Sequence, residues 1–264
     1  MRILITGGNG TLGRELTTAA VQAGYLVRIG SRHGPPHATP QGLEWVQIQL
    51  ANGSGLAAAV ERVEAVIHAA SNPRRATTVD VEGTRHLIEA CRVAGVKHLV
   101  YVSIVGIEEI PLPYYRCKLQ AERIVAQSGV PFSILRATQF HTFLDGLLSA
   151  AARFPLIMPL PTDFQVQSVA PSEVAARLVR ALAEGPAGRL PDFGGPEVMT
   201  LGQAAEQWGQ IRGRAKRRIH LCIPGRVAAG FRAGKNVVLF GEHGTLRWSD
   251  WLRLYEVANH TRPA

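Results

Sequence analysis

Tyr114 and Lys118 stand four residues apart in Tyr114-Tyr115-Arg116-Cys117-Lys118, and Ser103 lies eleven residues before Tyr114. On a helix, positions i and i+4 share one face. An ammonium beside the phenol would favour the phenolate and lower the tyrosine pKa from its ordinary ~10. Tyr114 could then exchange a proton with a substrate oxygen that Ser103 holds. The chain has only 5 Tyr, so chance rarely supplies this spacing next to a strand-end serine. A surface tyrosine packed along a lysine stem is the blander alternative. Tyr115 is a rival donor, but Leu119 and not a lysine stands four residues beyond it.

A second constellation opens the chain. The apolar run Ile3-Leu4-Ile5 leads into Thr6-Gly7-Gly8-Asn9-Gly10-Thr11-Leu12-Gly13, a G-x-x-G-x-x-G turn before an amphipathic stretch. Glycine serves where backbone turns sharply and must approach a pyrophosphate, and the helix that follows offers free N–H groups and its positive end. Gly7, Asn9, Gly10, Thr11, Leu12 and Gly13 are therefore the expected cradle of a dinucleotide. The second strand ends in Ser31-Arg32, where an NAD-binder carries a carboxylate for the ribose hydroxyls. A guanidinium can grip a 2′-phosphate bidentately, which favours NADP over NAD. Further cofactor contacts are expected from Gln49 and Leu50 after the third strand, from Ala69, Ala70 and Ser71 after the fourth, and from Lys118. Gln139, Phe140, His141 and Phe143 follow the last core strand and are the expected substrate-facing residues, with ordinary strand-end packing equally favoured.

The elements needed to position these groups are legible as alternation. Strands are expected at Arg2–Thr6, Leu26–Gly30, Leu43–Leu50, Ala65–Ala69, His98–Ser103 and Pro131–Arg136. Helices are expected at Leu12–Ala23, Thr77–Ala94 and Tyr114–Gln127. The long one turns Val81, Leu87, Ile88 and Cys91 inward and ends at Gly95. Apolar strands alternating with helices imply an α/β fold with a doubly wound, Rossmann-type parallel sheet. After about residue 140 the alternation weakens. The run Phe154–Pro161 is broken by proline, while helices are expected at Pro171–Glu184 and, capped by Thr200, at Leu201–Trp208. The expectation is a single domain over 1–264. Residues 1–140 form the dinucleotide-binding core, and 141–264 form mainly a small, irregular substrate-side lobe. Helix 171–184 packs on the core.

Composition removes several classes. The 264 residues are 46% hydrophobic, enough for a core and against intrinsic disorder. Three Cys without C-x-x-C spacing argue against a disulfide scaffold and for a cytoplasmic chain with reduced thiols. No apolar run approaches a membrane span, and no signal peptide is evident. His33 and His37 flank Gly34-Pro35-Pro36 without a third ligand, so a Pro-rich surface loop is expected there and no metal. No Gly-x-Ser-x-Gly elbow and no Gly-Lys-Ser/Thr is present, which removes α/β-hydrolases and P-loop NTPases. The net charge of +9 is concentrated at the C-terminal end, with five bases within Arg212–Arg218. The cluster is expected to be a solvated turn before a strand at Arg218–Ile223, not a nucleic-acid site, because no aromatic platform interleaves it.

These motifs together resemble the atypical, NmrA-like branch of the short-chain dehydrogenase/reductases. The resemblance is carried by Thr6–Gly13, Asp80-Val81-Glu82-Gly83-Thr84, Tyr101-Val102-Ser103-Ile104-Val105-Gly106, Tyr114–Glu122 and Ile134–Phe140, and it spans nearly the whole chain. It implies that the family's catalytic Ser, Tyr and Lys fall on Ser103, Tyr114 and Lys118. Asp80 departs from the Asn usual in related extended members, which weakens any proton relay through that position. The expected function is an NADP(H)-dependent oxidoreductase acting on a small carbonyl, enone or quinone-like compound. One alternative is a non-enzymatic, redox-sensing NAD(P)-binding regulator; another is an NAD-dependent epimerase. The expected partner is a small-molecule substrate, without metal, membrane or nucleic acid, on a monomer or homodimer.

Overall fold

The computed structural model describes residues 1–34 and 42–260, so His37 lies outside the described residues. In chain order the first elements are β1 (Arg2–Thr6), α1 (Thr11–Gln22), β2 (Leu26–Ser31), β3 (Leu43–Gln47), α2 (Leu56–Val60), β4 (Ala65–His68), α3 (Gly83–Ala94), β5 (His98–Ile104), α4 (Pro113–Ala126) and β6 (Phe132–Ala137). There follow α5 (His141–Ala151), β7 (Ile157–Leu160), β8 (Gln165–Val166), α6 (Pro171–Glu184), β9 (Gly188–Arg189), β10 (Phe193–Gly194), β11 (Met199–Thr200), α7 (Leu201–Ile211), β12 (Arg217–His220), α8 (Arg226–Arg232), β13 (Glu242–His243) and α9 (Trp248–His260). The chain divides into two compact units.

The first unit holds residues 1–104, 113–136 and 172–191. Its sheet runs β3-β2-β1-β4-β5-β6, and β9 pairs β6. The β1–β2, β1–β4, β2–β3 and β4–β5 pairs are all parallel. Ile3, Leu4 and Ile5 are wholly buried, as a parallel strand covered on both faces requires. Strand order reverses between β1 and β4, and a sheet of this kind opens a crevice at the carboxyl ends of the strands where the order reverses. One core cluster of this unit gathers Leu4, Val66, Leu87, Cys91, Leu99 and Val125. The chain thus has the expected α/β, Rossmann-type fold.

Several local differences matter. The expected helix over 77–94 is two pieces: a π-helical stretch at Thr77–Glu82, then α3. The expected inward residues Val81, Leu87, Ile88 and Cys91 are buried, and Gly95 ends α3 in the left-handed conformation at φ 69°. The wider π turn also brings Asp80 inward. The third strand is shorter than expected and stops at Gln47, and Gln49 instead bridges Ser54.

The second unit holds residues 105–112, 137–171 and 192 onward. Its core gathers Leu144, Leu148, Met158, Leu160, Trp208, Trp248 and Leu252. β7 pairs β12 in parallel and β8 pairs β11 antiparallel. Thr200 caps α7 as expected, accepting from Gln203 N at 3.1 Å while the Gln203 side chain accepts from Thr200 N at 2.8 Å. The basic segment is in part the solvated turn expected, with Arg214 and Arg217 exposed. Arg212 pairs with Asp145 at 3.1 Å, Lys216 donates to the Ala152 and Phe154 carbonyls, and Arg218 lies 3.5 Å from Glu206. Arg217 and Arg218 already belong to β12.

Candidate active site

The first unit contains a cleft of about 190 Å³ where β1, β2 and β4 end. Gly7, Asn9, Gly10, Ser31, Arg32, Gln49, Leu50, Ala69, Ala70 and Ser71, all expected from the sequence as cofactor contacts, line it. Among the described residues that line it, none is a carboxylate. Gly7 has φ 74°, and a Cβ there would meet Ala70 Cα at 2.7 Å. A Cβ on Gly13 would fall into the Gly7 carbonyl. Glycine at these positions keeps the loop after β1 pressed against the loop after β4, with the start of α1 opening beside it. Gly10 N donates to the Gly7 carbonyl at 2.9 Å, and Gly10 is the N-cap of α1. The first N–H groups of α1 have no intrahelical acceptor, so this terminus suits a pyrophosphate. Asn9 Nδ2 donates to Ser31 Oγ at 2.9 Å, as does His33 N at 3.3 Å. That oxygen accepts two bonds and keeps its own proton to give. The donor set, free of carboxylates, fits an anionic dinucleotide with a 2′-phosphate. Thr11, Leu12, Gly13 and Lys118 do not line the cleft; the first three form the first turn of α1.

The Tyr114 and Lys118 side chains depart from their expected wiring. Lys118 and Tyr114 both lie on α4, yet Lys118 Nζ donates to the Val102 carbonyl at 2.7 Å, lies 3.9 Å from Asp80 Oδ1 and sits 4.2 Å above the Tyr101 ring. Tyr114 is bonded instead to Ser71, with OH and Oγ 2.7 Å apart. Ser71 Oγ donates to Asp80 Oδ1 at 2.5 Å, and Asn72 N donates to Asp80 Oδ2 at 3.1 Å. Ser71 spends its single proton on the carboxylate, so the Tyr114 hydroxyl is the donor to Ser71. Lys118 does not lower the phenol pKa. Burial pushes it up to about 12, against the Ser71 hydrogen bond and with the Asp80 charge adding to the rise. Lys118 itself is pushed down to about 8 by burial, which Asp80 and Glu122 partly offset.

Ser103, expected to hold a substrate oxygen, is 3% exposed, and its Oγ has no hydrogen-bond partner among the described residues. The hydroxyl beside Tyr114 belongs to Ser71. The four expected substrate residues scatter. His141 is wholly buried at the start of α5; Nε2 meets the Leu246 carbonyl at 3.1 Å and Nδ1 meets Ser168 Oγ at 2.8 Å. Its ring lies against Trp248 and Trp251. Both ring nitrogens are engaged within the second unit. Gln139 has both side-chain polar atoms buried without a partner among the described residues. Phe140 is the N-cap of α5, and Phe143 is 62% exposed on that helix.

Residues 7–185 match the family described as NAD(P)H-binding. The chain belongs to the NAD(P)H-binding family. Within it, a Streptomyces griseus (4-alkanoyl-5-oxo-2,5-dihydrofuran-3-yl)methyl phosphate reductase is 33% identical over 223 residues, covering 81% of this chain and 75% of the relative. The fold is shared with a UDP-glucose 4-epimerase from Thermotoga maritima at TM-score 0.79 and 17% identity, covering 99% of both chains. It is also shared with an Escherichia coli NADPH-dependent quinone oxidoreductase complexed with NADPH, at TM-score 0.78 and 20% identity, covering 96% of this chain and 99% of that one. The chain is thus an NAD(P)H-binding protein with kin among oxidoreductases.

The cleft is also lined by Gly30, His33, Ile48, Asn72 and Val79, which sequence reasoning passed over. Ile48 and Asn72 flank chosen residues and were within reach. Asp80 was set aside as a departure, and its burial shows only in the fold. Among the described residues no group of three or more His, Cys, Asp and Glu could hold a metal, and no helix is long and apolar enough to cross a membrane.

His68, at the end of β4, braces this corner. Its Nδ1 lies 2.7 Å from Thr6 Oγ1 and its Nε2 3.1 Å from Thr84 Oγ1. Thr84 Oγ1 gives its proton to the Asp80 carbonyl, so His68 donates through Nε2 and accepts from Thr6. Burial, then the Lys118 charge, push the ring pKa from 6.5 down to about 3. The unfolded chain therefore binds a proton that the folded chain refuses, and stability falls as pH drops below about 6.5. Between pH 7 and pH 5 the expected loss from this residue is about 2 kcal/mol. Urea melts at both values, with His68→Gln as the variant, check this: the wild-type loss should exceed the variant's, and equal losses would exclude His68 as the cause.

Proposed function

We propose that the chain is an NADPH-preferring reductase in which Tyr114 gives a proton to the oxygen of a small carbonyl, enone or quinone-like compound. The observation that carries this is the Tyr114 hydroxyl held by Ser71, a residue that also lines the dinucleotide cleft. The Gly7–Gly10 turn and the first turn of α1 hold the pyrophosphate, and Ser31 and Arg32 hold the 2′-phosphate. NADPH supplies the hydride when bound. At neutral pH the phenol keeps its proton because burial raises its pKa. Asp80 fixes Ser71, Ser71 fixes the phenol oxygen, and Lys118 balances Asp80 in the buried site. The kinship with a named reductase supports the same reading. The test is a panel of quinones, enones and aldehydes followed by loss of reduced-nicotinamide absorbance. Turnover with NADPH on at least one class is expected, and none on any class would overturn the proposal.

One observation favours a second reading, a redox-sensing regulator without chemistry: the phenol is pushed up, and the Lys118 ammonium is bonded to the Val102 carbonyl instead. Such a protein would bind NADPH without turning over any panel member. The epimerase likeness speaks to the fold alone.

Cofactor preference is a separate expectation. Arg32 is exposed at the cleft rim, and its carbonyl accepts from Gln47 Nε2 at 3.0 Å. NADPH is expected to bind at least ~10-fold more tightly than NADH, ~1.4 kcal/mol, and Arg32→Ala to erase most of the gap. Fluorescence titration of both cofactors measures it; equal affinities in the wild-type chain would reject the 2′-phosphate assignment.

A further inference from the structure

The β7–β12 ribbon of the second unit has two unlike faces. Residues paired across parallel strands point to the same side, and the sides alternate along each strand. The register pairs Ile157 with Arg217, Met158 with Arg218, Pro159 with Ile219 and Leu160 with His220. Met158 and Leu160 are each 2% exposed and join the core of that unit. The opposite face carries Ile157, Pro159, Arg217 and Ile219. Just ahead of β7, a turn exposes Phe154 by 52% and Leu156 by 83%. This turn is anchored, because Lys216 Nζ donates to both the Ala152 and the Phe154 carbonyls at 2.7 Å.

The unpaired charge along these segments is positive. Residues 146–162 and 211–232 contain no Asp or Glu. Arg212, Arg218 and Arg232 are tied to Asp145, Glu206 and Asp163. Arg153, Arg214, Arg217 and Arg226 are exposed and make no ion pair among the described residues. Apolar side chains at an exposed turn, with Arg153 next to Phe154 in the chain and Arg217 paired with Ile157, match the chemistry of an interfacial contact: hydrocarbon enters the headgroup boundary while cations meet anionic headgroups. A second copy of the chain on a two-fold axis would bring these arginines against each other. Nucleic acid would leave Leu156 and Phe154 without an apolar environment.

We propose that the outer face of the β7–β12 ribbon and the Phe154–Leu156 turn dock on an anionic lipid surface. No membrane partner is expected from the sequence because no apolar run could span one; adsorption needs no span. Either signal alone binds weakly, so contact should be reversible and should need both the apolar turn and the arginines.

Vesicle co-sedimentation of the full chain tests this, using neutral phosphatidylcholine and the same lipid mixed with an equal part of phosphatidylglycerol. The bound fraction is expected to be about 10-fold higher on the anionic vesicles and to fall when ~1 M salt shortens the screening length to ~3 Å. Arg217→Glu and Leu156→Asp should each lower partitioning about 5-fold or more, since each basic or apolar group near the interface contributes on that scale. Val93→Asp, at a comparably exposed apolar position on α3, should leave partitioning unchanged. Melting curves confirm that each variant is folded. Equal binding to neutral vesicles, no binding, or indifference to Leu156→Asp would overturn the proposal. So would a dimer in light scattering that Leu156→Asp dissociates, which would assign the face to a second copy.

Discussion

Replacing Tyr114 with Phe is expected to lower turnover by ~10²–10⁴-fold while NADPH affinity stays unchanged, the range that a positioned general acid contributes. The hydroxyl is the only atom lost. It lies 2.7 Å from Ser71 Oγ, and Ser71 is in turn fixed by Asp80. The ring stays in place because Tyr114 packs on α4 beside Tyr115, with centroids 6.2 Å apart. Because burial holds the phenol up to about 12, it remains protonated across ordinary assay conditions, and the rate should show no alkaline limb from this group below that pH. Ser71→Ala should give a smaller loss, since it removes the orienting bond and not the proton. The measurement is steady-state kinetics on the best substrate of the panel, with cofactor titration alongside. Turnover unaffected by Tyr114→Phe would remove Tyr114 as the acid, even if the chain is a reductase.

Much of the first unit was legible because its signals are local. The strands are apolar runs that are buried on both faces, and the glycines after β1 stand where backbone must approach backbone. Those properties need no knowledge of the rest of the chain. Ser71 was read as a small residue that lets a cofactor approach, and its partnership with Tyr114 was invisible, because forty-three residues separate them. Asp80 was misjudged for a similar reason. A π-helical turn has no periodicity signature in the sequence, so an acid drawn inward at that point looks like a polar position on an ordinary helix. The pairing of Lys118 with Tyr114 followed from i,i+4 spacing, but spacing gives a shared face and not a direction. Buried Asp80 and the Val102 carbonyl draw the ammonium elsewhere.

The second unit was harder to read, and α5 shows why. Leu144 and Leu148 face the core, while Phe143 and Leu147 are 62% and 40% exposed. Apolar side chains on both faces erase the helical period that would reveal an amphipathic element. Phe140 at the N-cap supplies no side-chain cap, so the start carries no signal either. His141 looked available for chemistry because histidine so often is. Its ring closes a buried contact with Leu246, more than a hundred residues away.

Gly13→Ala is expected to weaken NADPH binding by at least ~100-fold, ~2.7 kcal/mol. The reason is steric and lies outside any cofactor contact. A methyl at this position would enter the Gly7 carbonyl and come 2.6 Å from Gly8 Cα. Neither is the flexible end of a side chain, so backbone must move. Gly7 cannot absorb the shift, because it holds φ 74° and already sits against Ala70. The turn would therefore lift away from the loop after β4, and the first N–H groups of α1 would no longer converge on one anion. Gly10→Ala provides a graded comparison: its Cβ would lie 3.2 Å from the Gly7 carbonyl, so a loss of intermediate size is expected. Gly146→Ala serves as the control, since a Cβ there meets nothing within 4 Å and the residue lies within α5. That change should leave binding intact and stabilise by up to ~1 kcal/mol through helix propensity. Cofactor titration by fluorescence and far-ultraviolet circular dichroism on all three variants separate lost binding from lost folding. A folded Gly13→Ala variant that binds NADPH as tightly as the wild-type chain would show that the glycine turn is not the pyrophosphate cradle.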